Sequence, residues 1–194
     1  MALTYSGPIA SSRTIVRLAE QSDLSALMGV NGDEQVTRFL PYEPWNSLAD
    51  ADAWFARMTD LQAKGLALQF VVAARSSGSA IGTCLIFQYD GPSRRAALGY
   101  VLGRAYWRQG YMREVLTALI GHGFNAMALR RLEAEVVPGN IASIQLLREL
   151  GFKKEGLLRQ RYVQKGQAVD SEIYGLLNHE WSVESVSDKQ QSDN

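Results

Sequence analysis

Three strand-like runs follow one another in the middle of this 194-residue chain, and the spacers between them have room only for hairpins. Leu68 to Ala74 ends at Ser76-Ser77-Gly78-Ser79, Ile81 to Tyr89 ends at Asp90-Gly91-Pro92, and the third run spans Arg95 to Leu102. Parallel neighbours need a crossover of about a dozen residues or more, so these runs are expected to form an antiparallel meander. A meander needs its apolar faces covered, and the flanking sequence supplies helices to cover them.

Thr14 to Leu18 reads as an earlier strand by alternation and β-branching. Asp23 opens a short helix with Leu24, Leu27 and Met28 on one face. Ser47 and Asp50 form a capping pair before Leu48, Trp54, Phe55, Met58 and Leu61, and Gly65 supplies the stop. After the meander, a helix is expected from Tyr111 to Leu129, carrying Val115, Leu116, Leu119, Ile120 and Phe124 at helical spacing. Leu132 to Val137 is strand-like and Asn140 to Leu150 helical, and two final strands, Leu157 to Gln164 and Ala168 to Leu177, flank Lys165-Gly166-Gln167. The order β-α-α-β-β-β-α-β-α-β-β predicts an α+β fold, a mixed, mostly antiparallel sheet flanked by helices. One domain is expected over residues 12–181, with 182–194 a polar tail, too poor in apolar residues to pack and expected to be disordered.

Twenty Lys and Arg balance twenty Asp and Glu, which gives a formal net charge of zero. That balance offers no electrostatic reason to expect nucleic-acid or membrane-surface binding. Cys84 is the only cysteine, so an internal disulfide is impossible and no cysteine-based metal site is expected. No run approaches the roughly 20 apolar residues of a membrane span, and Met1-Ala2-Leu3-Thr4-Tyr5 lacks the form of a secretion signal. A soluble, cytoplasmic protein without metal is the expectation.

The segment from Gly103 to Glu114 joins a predicted strand to the longest helix. A helix start leaves backbone N–H groups unpaired and carries partial positive charge, and a pyrophosphate satisfies both if the chain can approach closely. Gly110 permits that approach, and Arg108 and Arg113 add cationic contacts at the rim. The same glycine could equally do no more than shape a loop. The segment is not a P-loop, since no Gly-Lys-Ser/Thr follows, nor a three-glycine dinucleotide fingerprint. Asn140 to Ser143, with Asn140 as N-cap, and then Leu150-Gly151-Phe152, form a second marked helix.

Taken together, Trp107-Arg108-Gln109-Gly110-Tyr111-Met112-Arg113-Glu114, Asn140 with Ser143, and Leu150-Gly151-Phe152 resemble the Gcn5-related N-acetyltransferase superfamily. The resemblance is closest to the branch of ribosomal-protein alanine N-acetyltransferases, and Leu98-Gly99-Tyr100, Gly156-Leu157-Leu158-Arg159 and Tyr174-Gly175-Leu176-Leu177 fit the same pattern. It implies acetyl-CoA as acyl donor in a cleft between the fourth and fifth strands of that fold. Val101 and Leu102 would face the pantetheine arm through their backbone. Amides from Arg108, Gln109, Gly110, Tyr111, Met112 and Arg113 would hold the pyrophosphate, with Asn140 and Ser143 near the thiol. Three positions depart from the family's pattern: Met112 replaces a small residue, Ala97 stands where many members of the branch carry a glutamate base, and Leu147 where many carry a tyrosine acid.

The implied chemistry needs an ammonium deprotonated, an oxyanion stabilised and a thiolate protonated. Ser143 is the candidate acid, or else only a first-turn helix residue. Glu43 is the catalytic carboxylate carried forward, with Asp170 and Glu172 as rivals, and each is equally readable as a solvated side chain. Glu114 reads as a first-turn charge complementing the helix dipole, His122 and His179 as core or surface residues, and Cys84 as a buried small residue. Phe39 to Trp45 and Tyr162 suit the wall of an acceptor pocket or a cap on the core. The expected activity is transfer of an acetyl group to a primary amine, on a protein N-terminus or a small molecule. The alternative is a non-catalytic acyl-CoA sensor, and homodimerisation stays open.

Overall fold

In the computed structural model, which describes Leu3 and residues 5–182, the three central runs pair as the hairpins their turns require. The described elements are β1 (Ile9–Ala10), β2 (Thr14–Leu18), α1 (Leu24–Asn31), α2 (Glu34–Thr37), α3 (Leu48–Ala63), β3 (Ala67–Ala74), β4 (Ala80–Asp90), β5 (Arg95–Leu102), α4 (Tyr111–Asn125), β6 (Arg131–Val136), α5 (Ile141–Glu149), β7 (Lys153–Gln164) and β8 (Gln167–Leu177). The eight strands form one sheet in the order β1-β2-β3-β4-β5-β6-β8-β7. Every neighbour is antiparallel except β5 and β6, which run parallel because α4 carries the chain across between them.

The sheet separates two apolar layers. On one face, Phe70, Cys84, Leu98, Leu132 and Val136 pack with Leu116, Leu119 and Ile120 of α4 and Ile144 and Leu147 of α5. On the other, Val71 and Ala73 pack with Leu24, Leu27, Trp54 and Met58 of α1 and α3. All eight residues of β3 are buried, so its sequence is a continuous apolar run with one polar residue, Gln69. Ser47 and Asp50 form the expected capping box at α3, and Gly65 follows that helix with φ of 66°.

The sequence reading needs correction at several element ends. The helix after the loop stops at Asn125, not Leu129: Ala128 takes a positive φ of 52°, and Leu129 turns back into the core instead of adding a turn. β7 begins at Lys153, four residues early, because Lys153 and Lys154 pair with Gly175 and Tyr174 on β8. Pairing overrides the weak strand preference of Lys-Lys-Glu-Gly. β1 and α2 were not anticipated; two and four residues give too little periodicity to read. Among the described residues no helix is long and apolar enough to cross a membrane. The expected tail lies, from residue 183 on, outside the described residues.

Candidate active site

β5 and β6 touch only at one end. Their parallel register joins Arg95 to Arg131, Ala96 to Leu132 and Ala97 to Glu133, and then pairing ceases. Beyond it β5 keeps β4 as its partner as far as Leu102, and β6 keeps β8 as far as Val136. The two strands therefore part into a cleft, and Leu98–Leu102 has no ladder partner on its β6 side. An extended ligand arm can take such an edge as a strand would. Val101 and Leu102 lie on it, and the Trp107 indole N–H already donates to the Leu102 carbonyl at 2.7 Å.

Past the end of β5, a 3-10 turn at Arg104–Tyr106 leads to Gly110, which caps α4 in the left-handed conformation (φ 75°). Arg108 also takes a positive φ, 57°. The first intrahelical bond is Glu114 N–H to the Gly110 carbonyl, and no side chain caps the helix, so the amides of Tyr111 and Met112 precede the helical ladder. A Cβ added at Gly110 would point toward the Arg13 guanidinium, 3.5 Å away, and would occupy the approach. These features fit a bound pyrophosphate. Met112, the residue that departs from the family pattern, sends its side chain into the core and leaves only its backbone at the loop.

Arg13, which the sequence reading did not single out, stands at this loop. Its guanidinium lies 4.1 Å over the Tyr111 ring, donates to the Gln109 carbonyl at 3.0 Å and pairs with Glu114 at 2.8 Å. Glu114 accepts further bonds from the Ser11 hydroxyl (2.5 Å) and the Arg13 backbone N–H (2.6 Å). Partial burial works to raise the Glu114 pKa, yet these donors bring it down to about 2. The residue read as a dipole partner thus also ties the β1–β2 turn to the start of α4. Arg108 is exposed, and Arg113 lies 3.9 Å from Glu149.

At the mouth of the cleft, Asn140 caps α5 by accepting the Ser143 backbone N–H at 3.2 Å. The cap places the Ser143 hydroxyl 2.6 Å from the Tyr100 phenol of β5, so the pair bridges the two sides of the cleft. Both lie on the α4–α5 face, where burial pushes the Tyr100 pKa up to about 12. Leu147 is fully buried in that layer, and its side chain has no proton to give.

The opposite face carries charge. Strand alternation puts Ala97, Glu133 and Glu135 on the α1–α3 side, since Leu132, Ala134 and Val136 belong to the α4–α5 core. Glu133 is gripped by Arg95 (3.0 Å) and Arg131 (2.7 Å). Glu135, on the splayed part of β6, instead accepts from the Tyr162 phenol at 2.5 Å and the Ser171 hydroxyl at 3.4 Å, with Arg161 at 3.5 Å. The shortest contact of each is to Oε2, and Oε1 accepts no hydrogen bond among the described residues. Tyr162 is thereby placed in the site, its own pKa raised by burial and by Glu135.

The three carboxylates chosen from sequence make no hydrogen bond to Tyr100, Ser143 or Glu135 among the described residues. Glu43 is exposed and makes no hydrogen bond or ion pair among the described residues. Asp170 accepts the Gln160 backbone N–H at 2.8 Å and so pins the bulge between Leu158 and Tyr162. Glu172 faces the other layer; it pairs with Lys154 at 2.5 Å and accepts from Tyr174 at 2.8 Å, and Lys154 holds its pKa below the usual carboxylate range. Phe39 lies against Gly139 beside the start of α5, whereas Trp45 is buried against Trp54, so the aromatic segment divides between site and core. Cys84 is buried, which pushes its thiol pKa up, and neither histidine reaches the cleft's hydroxyl pair or Glu135 by a hydrogen bond.

A sheet parted at one parallel pair, with a glycine-led helix start beyond it, is the architecture of an acyl-CoA-dependent acetyltransferase. Residues 13–153 match the Acetyltransferase (GNAT) domain family, and the chain belongs to that family. It is 34% identical to the N-acetyltransferase p20 of Bacillus licheniformis over 172 residues, which is 89% of this chain and 97% of the relative. It is 27% identical to the ribosomal protein uS5-alanine N-acetyltransferase of Escherichia coli over 183 residues, 90% of this chain and 92% of that one. A Gcn5-related N-acetyltransferase structure from Brucella melitensis shares the fold with a TM-score of 0.86 at 21% identity, covering 97% of this chain and 86% of that one. The protein is an acyltransferase of the N-acetyltransferase class, with acetyl-CoA as the family's cosubstrate. The reading as a sensor without turnover is set aside.

Proposed function

We propose that this protein transfers the acetyl group of acetyl-CoA to the terminal amine of a polypeptide, with Glu135 as base and Ser143 as acid. The observation that carries the reading is the division of proton-handling groups between the two faces of the cleft. Glu135, whose Oε1 accepts no hydrogen bond among the described residues, lies on one face, and the Ser143 hydroxyl lies on the other. Acetyl-CoA supplies the acyl group as a thioester, whose carbon–sulfur bond breaks as the nitrogen–carbon bond forms. Glu135 Oε1 takes the proton that converts the acceptor ammonium to the amine. The Ser143 hydroxyl gives its proton to the sulfur and takes up the one the acylated nitrogen sheds, so no charge accumulates on the serine. Tyr111 and Met112 amides, Arg13 and the Arg108 side chain favour the pyrophosphate.

A polypeptide acceptor is supported by the Escherichia coli relative, whose name assigns it a ribosomal-protein alanine. It is supported also by Phe39 and Tyr162, which offer aromatic surface beside the amine's path. The test is a thiol-release assay with acetyl-CoA and three arms: peptides with N-terminal alanine or serine, spermidine, and no amine. Release driven by the peptides above the other arms is expected. Release driven only by spermidine overturns the polypeptide acceptor. Calorimetry with CoA gauges the loop separately: Gly110→Val should weaken binding about tenfold or more, because the strained φ and added Cβ spoil the approach. Unchanged affinity would move the pyrophosphate elsewhere.

A further inference from the structure

Ser143 could present its hydroxyl hydrogen in any of three staggered directions, and only one serves a leaving sulfur. The structure removes part of that freedom. Tyr100 stands three residues beyond the last β5–β6 pair, its ring packed against the core and its oxygen 2.6 Å from Ser143 Oγ. The same phenol oxygen lies 3.5 Å from the Ser143 carbonyl, so it sits over the first turn of α5. Ser143 is held from its other end by the Asn140 cap, which fixes the backbone from which the hydroxyl projects.

We infer that Tyr100 is a positioning residue for the acetyl transfer: its phenol donates to Ser143 Oγ and turns the serine's own hydrogen into the cleft. The 2.6 Å contact admits either oxygen as donor, and the inference assigns that role to the phenol as the more acidic hydroxyl. With one Ser143 lone pair engaged by Tyr100, the Ser143 O–H cannot point back along that line and is directed away from β5's buried face. The device also couples the cleft's two walls, because Tyr100 belongs to β5 and Ser143 to the helix that follows β6. Tyr100 passes no proton itself. Burial keeps its phenol protonated across the working range, so the donor stays a donor as pH changes.

This rests on the reading of Ser143 as the acid, and a double-mutant cycle separates the two ideas. Tyr100→Phe keeps the ring and removes only the donor. It should lower kcat about five- to twentyfold while the KM for acetyl-CoA stays within twofold, the pattern of an interaction made only in the transition state. Ser143→Ala should lower kcat at least as much, and the double variant should be no slower than Ser143→Ala alone. A Tyr100 that merely packed the sheet would instead lower Tm, raise KM and multiply its effect onto Ser143→Ala. Wild-type kcat in Tyr100→Phe, or multiplicative losses in the double variant, overturns the positioning role. Wild-type kcat in Ser143→Ala overturns the acid assignment, and the positioning role with it.

Discussion

The closed and open ends of the β5–β6 junction differ most plainly in their carboxylates. Glu133 and Glu135 are two residues apart on one strand and face the same side of the sheet. At the closed end, Glu133 bonds both Arg95 and Arg131, and Arg131 continues to Glu155. Such a carboxylate is saturated by charge-assisted bonds. At the open end, Glu135 receives two neutral hydroxyls and one long arginine contact, each closest to the same oxygen. On the proposed reading, the strand spends one carboxylate on closing the sheet and keeps the next for proton transfer.

Exchanging each for its amide gives the sharpest break in that comparison. Glu135→Gln should cut kcat about 10²-fold or more, the scale of a lost general base, with little change in Tm. Glu133→Gln should do the reverse, with kcat within a few-fold and a clear loss of stability, as its two arginine–carboxylate bonds are weakened. Initial rates with saturating acetyl-CoA, run beside thermal melts, check both. If Glu133→Gln proves the slower enzyme, the base lies at the closed end and the assignment above is wrong.

Glu114 extends the comparison to the start of α4, where a carboxylate is again saturated and again structural. Its pKa in the folded protein is about 2 against an ordinary 4.5. A carboxylate with a depressed folded value contributes stability above its ordinary value and loses it as pH falls toward the folded one. Glu114→Gln should therefore lower Tm at pH 7 by about 2–8 °C, from about 1–2 kcal/mol of lost charge-assisted bonding. Between pH 4.5 and pH 2 the gap to wild type should close, because protonation takes from the wild type the charge-assisted bonds that the variant already lacks. A gap independent of pH would mean that shape, not charge, holds the loop.

The parts of this site that could be read from sequence are those set by local rules. Gly110 and Asn140 mark helix starts, and a helix start constrains its own residues whatever surrounds it. Glu135 escaped because Arg-Leu-Glu-Ala-Glu-Val is the ordinary alternation of a half-exposed strand, in which a glutamate reads as a solvated charge. What singles it out is non-local: β6 parts from β5 after Glu133, and the bulge between Leu158 and Tyr162 carries the Tyr162 phenol to Oε2. Tyr100 was noticed only as part of a motif, and its partner stands 43 residues away. Arg13 reaches Glu114 across 101 residues. Glu43 drew attention by its aromatic setting, yet that setting is spent elsewhere, with Trp45 in the core and the Tyr42 hydroxyl donating to Asn31 at 3.0 Å.

Glu43 supplies the smallest expected effect and the last control on the comparison. Its neighbours on both sides are anchored: Tyr42 bonds the buried Asn31 side chain, and the Trp45 backbone N–H donates to the Asn31 carbonyl at 3.0 Å. Between these anchors the Glu43 side chain is exposed and makes no hydrogen bond or ion pair among the described residues. An exposed carboxylate keeps its hydration, so its amide differs from it in charge and little else, and surface changes of this kind shift stability by about 0.5 kcal/mol or less. Glu43→Gln should thus leave kcat and the KM for acetyl-CoA within twofold and Tm within about 1–2 °C. Only the KM for a cationic acceptor has a route to change, through long-range attraction that 0.5 M salt would screen. A kcat loss comparable to that of Glu135→Gln would put the loop between α2 and α3 in the catalytic machinery and return the base to the position first chosen from the sequence.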